Sequence, residues 1–329
     1  MIQAGRIISI WRYPVKSMAG ERVPFADVSA LGVHADRTWA VRDVEHDTTT
    51  GAKKLPGLLW CTARYAQTPA ADAGPGHAPE VLIGFPDGRE FSSSDPGVHR
   101  ALSEYVGHDV ELRALPPISE RHQYRTPMAT KTDLRVVFGL EDDEPLPDLS
   151  MFPVRKLAEI TRYATPVGSY VDAYPVHILT AQSLAAMAAL APDSDFDERR
   201  FRPTLVVDSP ATSDHPEWDW CGGVLHGPHA DLQPLIPTIR CVMPSQEQPQ
   251  LKRDRDITRA IAAHSRRCLG VYGNVVKTGR IAEGDVLMLE PPARPVTESG
   301  AVKVKRALMR AVAAAIPNGR TAAIPNGRN

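Results

Sequence analysis

Proline fixes the backbone φ and removes a hydrogen-bond donor, so it decides where a β-ladder can run and where it must stop. In segment 235–244, Leu235-Ile236-Pro237-Thr238-Ile239-Arg240-Cys241-Val242-Met243-Pro244, prolines bracket an apolar run that ends in an Arg-Cys pair. The segment is expected to leave an extended strand and enter a turn, which puts the Cys241 thiol where regular backbone ends. Arg240 points to the opposite face from its neighbour in an extended chain, yet its positive field favours thiolate over thiol. A thiolate is both a nucleophile and a soft metal ligand. The plainer alternative is a cysteine packed as a small buried hydrophobe.

Short β-prone runs at 6–13, 23–31 and 38–44, cut by Pro14, Gly20 and Pro24, read as an opening all-β meander. Its connections carry the chemistry-capable residues: Tyr13-Pro14-Val15-Lys16-Ser17 in the first, and Gly32, His34, Asp36, Arg37 and Trp39 in the second. Polar loops at 45–57, 67–79 and 116–130 are expected to line or cover a pocket mouth. Between them, 58–65 reads as a strand, Pro86-Asp87-Gly88 as a hairpin turn, 96–106 as a helix and 110–115 as a strand. An acidic, proline-bearing stretch at 141–147 marks an insertion or domain boundary. Further on, 170–179 reads as a strand carrying Asp172, Thr180 caps a helix at 181–190, and Phe201-Arg202-Pro203 leads into a buried strand at 204–208. Ile257, Ala260, Ile261, His264 and Cys268 recur on one helix face, and 271–277 and 285–289 close the fold around a tight turn at 279–285.

A chain of 329 residues with 43% hydrophobic content supports a substantial core in one large domain or two ordinary ones. The formal net charge of -1 gives no reason to expect nucleic acid or an anionic membrane as the main partner. Cys61, Cys221, Cys241 and Cys268 are too scattered for a Cys-x-x-Cys zinc or iron–sulfur pattern, and no disulfide framework is expected. No apolar run reaches the roughly 18 residues of a membrane span, and 1–13 reads as a strand rather than a signal peptide, so the cytoplasm is the expected compartment. In 301–329, Lys303, Lys305, Arg306, Arg310, Arg320 and Arg328 stand without an acid, and residues 314–320 recur at 322–328. A disordered tail is expected there.

Tyr13-Pro14-Val15-Lys16-Ser17, Gly32 with Asp36-Arg37 and Trp39, Asp172-Ala173-Tyr174-Pro175, Phe201-Arg202-Pro203, Arg240-Cys241 and Gly279-x-Ile281-x-x-Gly284-Asp285 together resemble the MOSC family, named for the C-terminal domain of molybdenum cofactor sulfurase. These motifs stand in the family's order over roughly residues 5–290. The resemblance implies a mainly β fold with some helices: a MOSC N-terminal β-barrel-like domain at 1–140 and a MOSC β-barrel domain at 141–292. The two would form one cofactor-binding unit, followed by a basic tail at 293–329. It also implies a molybdenum cofactor (Mo-molybdopterin). In the branch similar to the mitochondrial amidoxime reducing component and its bacterial relatives, the implied activity is reduction of small N-hydroxylated or N-oxygenated molecules by oxygen-atom transfer.

Carried onto this chain, Cys241 would coordinate molybdenum, with Asp172 at a family position close to the metal. Lys16, Ser17 and Arg37 would hold the pterin and its phosphate, with Arg202, Thr204 and Arg240 as further cofactor contacts. Arginine forks and a lysine point charge suit a phosphate and a polar pterin edge, and a thiolate suits a metal already bound by sulfur. The chain departs from its relatives at Thr204, where many have asparagine, and at Ile239, where the mitochondrial relatives have serine. Lys53 or Lys54 stands near where relatives have an arginine. With no ferredoxin module and no Fe-S cluster expected, electrons would come from a separate ferredoxin- or flavin-type reductase. Two other readings remain open. Cys241 would carry a persulfide supplied by a separate pyridoxal-phosphate desulfurase, as the sulfurase branch suggests, or the chain would bind the cofactor without catalysis.

Overall fold

The computed structural model describes residues 1–292 and 316–318. The tail reading, with its repeat at 314–320 and 322–328, otherwise lies outside the described residues.

The structure is mainly β. Seven strands close a barrel in the order Ile2–Arg12, Leu205–Asp208, Val176–Thr180, Cys268–Lys277, Asp231–Ile239, Val224–His226 and Val286–Glu290, the last pairing back to the first. Every neighbouring pair is antiparallel except Val176–Thr180 with Leu205–Asp208, which is parallel. A parallel pair needs a crossover, and helix Ala181–Leu190 lies in that connection. As expected, Thr180 caps this helix by accepting the Ser183 N–H. Alternation along the strands turns Ile7, Ile178, Val207, Leu232, Val271 and Leu287 into one buried barrel core. Each such side chain contributes about 1.5–3 kcal/mol by leaving water.

A second core belongs to the first third of the chain. Strands Thr62–Tyr65, Val81–Gly84 and Glu90–Ser92 form one sheet, and helix Gly97–Val106 packs Val98 and Leu102 onto Leu58, Cys61 and Ile83. The expected hairpin turn is there, with Gly88 at φ +87. Met243 is buried in this second core and Cys241 packs against it, although both follow a barrel strand. The Arg-Cys segment therefore bridges the two cores.

The opening strands do not form a meander. Ile2–Arg12 enters the barrel, Phe25–Ser29 pairs with Gly279–Ala282, and Trp39–Asp43 pairs with Val110–Ala114. Segment 279–285 is accordingly a strand followed by a turn. Within 58–65 only Thr62–Tyr65 is extended, behind a 3-10 turn at Pro56–Trp60, and 170–175 is irregular ahead of Val176–Thr180. Cys268 opens a strand instead of ending a helix: helix Arg255–His264 stops short of it, and Arg266 and Arg267 take left-handed backbone at φ +52 and +62. Helices Lys131–Phe138 and Val154–Arg162 lie in segments to which the sequence reading assigns no element; the first carries a capping box between Thr130 and Asp133.

Candidate functional site

Cys241 stands between strand Asp231–Ile239 and the 3-10 turn Met243–Ser245, as its flanking prolines suggest. The strand's register slips between Pro234 and Ile236 and between Pro237 and Ile239, where proline interrupts the ladder. Backbone bonds fix both neighbours of the cysteine: Arg240 N–H donates to Arg267 O at 2.8 Å and Val242 N–H to Val137 O at 2.9 Å. The thiol itself is half-buried.

Arg240 is buried in the barrel wall. Its Nη2 donates to Phe201 O at 2.8 Å, its Nη1 lies 3.2 Å from His177 Nε2, and its Nε is buried without a partner among the described residues. Burial, and then the Arg240 charge, hold the His177 pKa well below its ordinary value. The ring is therefore neutral at Nε2, where it accepts from Arg240. Thr204 secures the same residue from the backbone side. Its Oγ1 accepts His177 N–H at 3.0 Å, and its own N–H donates to His177 O at 2.7 Å.

Asp172 is gripped by two lysines from the N-terminal part. Lys16 Nζ is 2.5 Å from Oδ1 and also donates to Tyr170 O at 2.9 Å, and Lys53 Nζ is 2.8 Å from Oδ2. The Asp172 side chain keeps 37% exposure, yet protein surrounds it closely enough that burial is the largest influence on its pKa. It therefore lies in a recess and not on a convex surface. Burial alone would raise that pKa, but the two ammoniums outweigh it and hold the carboxylate well below the ordinary range. One carboxylate cannot serve two ammoniums equally. Burial, reinforced by the Lys53 charge, pulls Lys16 down to about 8 despite Asp172, whereas the fields of Asp172 and Cys241 overcome burial and raise Lys53. The phenol of Tyr272 is raised by burial and then by Asp172, with Cys241 also acting on it.

Beside this recess two guanidiniums share one ring. The Arg202 Cζ lies 4.0 Å and the Arg37 Cζ 4.6 Å from the centre of Tyr13. Tyr13 is fixed from three directions: its N–H donates to Asp36 Oδ1 at 2.7 Å, its O accepts Arg37 N–H at 2.7 Å, and its hydroxyl donates to Pro203 O at 3.1 Å. Asp36 is ion-paired with Arg37. Arg202 Nη1 donates to Met18 O at 2.6 Å, but Nη2 is buried with no partner among the described residues. Burial, with Arg37 adding to it, brings the Arg202 pKa down to about 10. Ser17, Arg37 and Arg202 all adopt left-handed backbone, at φ +70, +50 and +51. That conformation is uncommon away from glycine and concentrates at ligand clamps.

Of the residues singled out in the sequence, Lys16, Arg37, Asp172, Arg202, Arg240 and Cys241 share this neighbourhood. Ser17 and Thr204 are buried in its wall, where each hydroxyl oxygen accepts a main-chain N–H, from Ala52 and His177 respectively. The Ser17 bond docks loop 45–57 onto the first connection, and a Cβ at Gly51 would collide with Ser17 Oγ. Lys53 thereby reaches the site, while Lys54 turns to Asp133 at 3.5 Å. Tyr13, His177 and Tyr272 went unassigned. The last two sit opposite each other on paired barrel strands, a relationship that only the register reveals. Among the described residues no group of three or more His, Cys, Asp or Glu could hold a metal ion.

With both of the family's domains matched along its length, this chain belongs to the MOSC family. Residues 4–81 match the MOSC N-terminal beta barrel domain and residues 166–288 the MOSC domain. The chain is similar to mitochondrial amidoxime reducing component 2 of Bos taurus, 24% identical over 301 residues that cover 86% of this chain and 82% of that one. Among solved structures it is similar to the YUAD protein from Bacillus subtilis, at 9% identity and a TM-score of 0.38, covering 88% of this chain and 96% of that one. It is also similar to YiiM from Geobacillus stearothermophilus, at 18% identity and a TM-score of 0.30, covering 45% of this chain and 73% of that one. No helix among the described residues is long and apolar enough to cross a membrane.

Proposed function

We propose that this chain holds a molybdenum cofactor between its N-terminal part and its MOSC barrel and reduces small N-oxygenated molecules with electrons from a separate protein. The observation that carries the reading is the Nη2 of Arg202, buried beside Arg37 and Tyr13 with no partner among the described residues. A buried donor on a charged group left unsatisfied costs about 1–3 kcal/mol or more. An anion at that position removes the cost, and the unpartnered Nε of Arg240 makes the same demand. Among the described residues, Lys16, Lys53, Arg37, Arg202 and Arg240 have two carboxylates, Asp36 and Asp172, as their nearby counter-charges. Such an excess suits a ligand that brings negative charge, as a pterin phosphate does.

In this reading Cys241 ligates molybdenum, while Arg37, Arg202 and Lys16 hold the pterin and its phosphate. When bound, the cofactor supplies oxygen-atom transfer and stores the electrons that the reduction needs. The protein contributes position and protons. Arg240 and Lys53 bring positive charge to the surroundings of position 241, where both interact with the sulfur. Reducing an N–OH group consumes protons as water leaves, and Lys16 Nζ, with a pKa of about 8, is the ammonium here that most readily gives one up near neutrality. Asp172 holds that ammonium in place through Oδ1. The test is turnover of benzamidoxime by cofactor-loaded protein with reduced methyl viologen as donor. Amidine formation that disappears in Cys241→Ser is expected; fully loaded wild type that forms none contradicts the reading.

A further inference from the structure

Helix Val154–Arg162 packs Leu157 and Ile160 against Phe152 and Tyr174 and leaves Arg155 and Arg162 exposed. Along it runs a groove of about 720 Å³ whose lining includes Arg121, Arg155, Lys156, Arg162 and Tyr174. A second hollow of about 390 Å³ shares Arg162 and adds Arg125 and Met128. Lys156 is paired with Glu159, but Arg121, Arg125, Arg155 and Arg162 make no ion pair among the described residues. Two large apolar side chains flank these charges, Met128 at 74% and Val154 at 64% exposure. Unpaired arginines around exposed apolar anchors make a protein-docking surface of one sign.

The groove's floor is also the back wall of the site. Lys156 Nζ sits 4.6 Å from the centre of the Tyr174 ring and donates to Ala173 O at 2.8 Å, one residue from Asp172. Tyr174 in turn lies 5.5 Å from Tyr272, ring centre to ring centre, and Tyr272 stands in the fields of Asp172 and Cys241. A partner seated here is separated from the Cys241 recess by two aromatic rings. The chain's own tail does not complement the groove. Pro317 O accepts Lys131 N–H at 3.0 Å, which brings 316–318 close in sequence to Met128, but 301–329 carries six basic residues and no acid.

We propose that this groove docks the electron donor, an acidic one-electron carrier protein; the inference rests on the reading of the chain as a reductase supplied from outside. The measurement is binding of an acidic [2Fe–2S] ferredoxin to the full chain by calorimetry, at low and at raised salt, with R155E/R162E and R121E/R125E alongside. Binding that weakens with salt in the wild type and is roughly tenfold or more weaker in each charge reversal, at unchanged melting temperature, is expected. In turnover, the reversals should raise the KM for ferredoxin and leave viologen-driven rates unaltered. Equal affinity in wild type and variants overturns the proposal. So does preferential capture of a single-stranded oligonucleotide or of phosphatidylserine vesicles by these same arginines. Salt-sensitive ferredoxin binding without any viologen-driven turnover supports the docking surface and sinks the reductase reading alone.

Discussion

Arg202 lays its guanidinium on the Tyr13 ring, 4.0 Å from ring centre, and keeps one terminal nitrogen buried with no acceptor among the described residues. The contact with the ring and the Nη1 bond to Met18 O together hold the fork, so the free nitrogen is kept in place to meet an anion. Arg202→Met retains much of the apolar contact with Tyr13 and removes every donor. We expect pterin retained through purification to fall roughly tenfold or more because the free Nη2 served the ligand, while loss of the Nη1 bond to Met18 O lowers the melting temperature by only a few degrees. Fluorescence of the oxidised, released pterin reads this directly. Wild-type retention in the variant would show that the nitrogen faces no ligand.

Lys16 gives the site a pH dependence of defined sign. Its folded pKa of about 8 lies below the ordinary 10.5, so the protonated form is disfavoured by folding. Stability from this group is fully present above 10.5 and is lost as pH falls toward 8. The positive charge of the recess runs the other way, being complete below about 8 and reduced above it. Anion binding should therefore weaken as pH rises through that value. Acetylation of Lys16, followed by mass spectrometry across pH, should show an apparent pKa near 8; a midpoint near the ordinary lysine value would refute the assignment.

His177 predicts acid sensitivity. Burial and Arg240 keep it neutral well below its usual pKa of 6.5, whereas the unfolded chain takes up the proton there. Its stabilising contribution is present above 6.5 and is lost as pH drops toward the folded pKa. His177→Gln keeps an acceptor for Arg240 but does not titrate. Its melting temperature should fall less than that of wild type between pH 7 and pH 5. Parallel curves would remove His177 as the source.

Local chemistry made much of this fold legible in advance. The Thr180 cap, the Pro86-Asp87-Gly88 turn and the proline-terminated strand before Cys241 each depend on residues a few positions apart. Strand partners do not. Phe25–Ser29 pairs with Gly279–Ala282 from the far end of the chain, and nothing in either segment names the other. Helical spacing ran on to Cys268 because periodicity does not register the left-handed backbone at Arg266 and Arg267. In the site, Lys16, Arg37, Asp172, Arg202, Arg240 and Cys241 were readable as members of one motif set. The choice of Lys53 over Lys54 was not, since it is made by the contact between Gly51 and Ser17.

The central claim is that one sulfur, that of Cys241, binds the metal while a separate set of cations binds the pterin. Molybdenum and pterin content should be measured together in wild type and Cys241→Ser after expression with cofactor supply. The account predicts about one molybdenum per wild-type chain and less than about a tenth in the variant, with pterin still held by Lys16, Arg37 and Arg202. A Cys241→Ser protein that keeps wild-type molybdenum would contradict it.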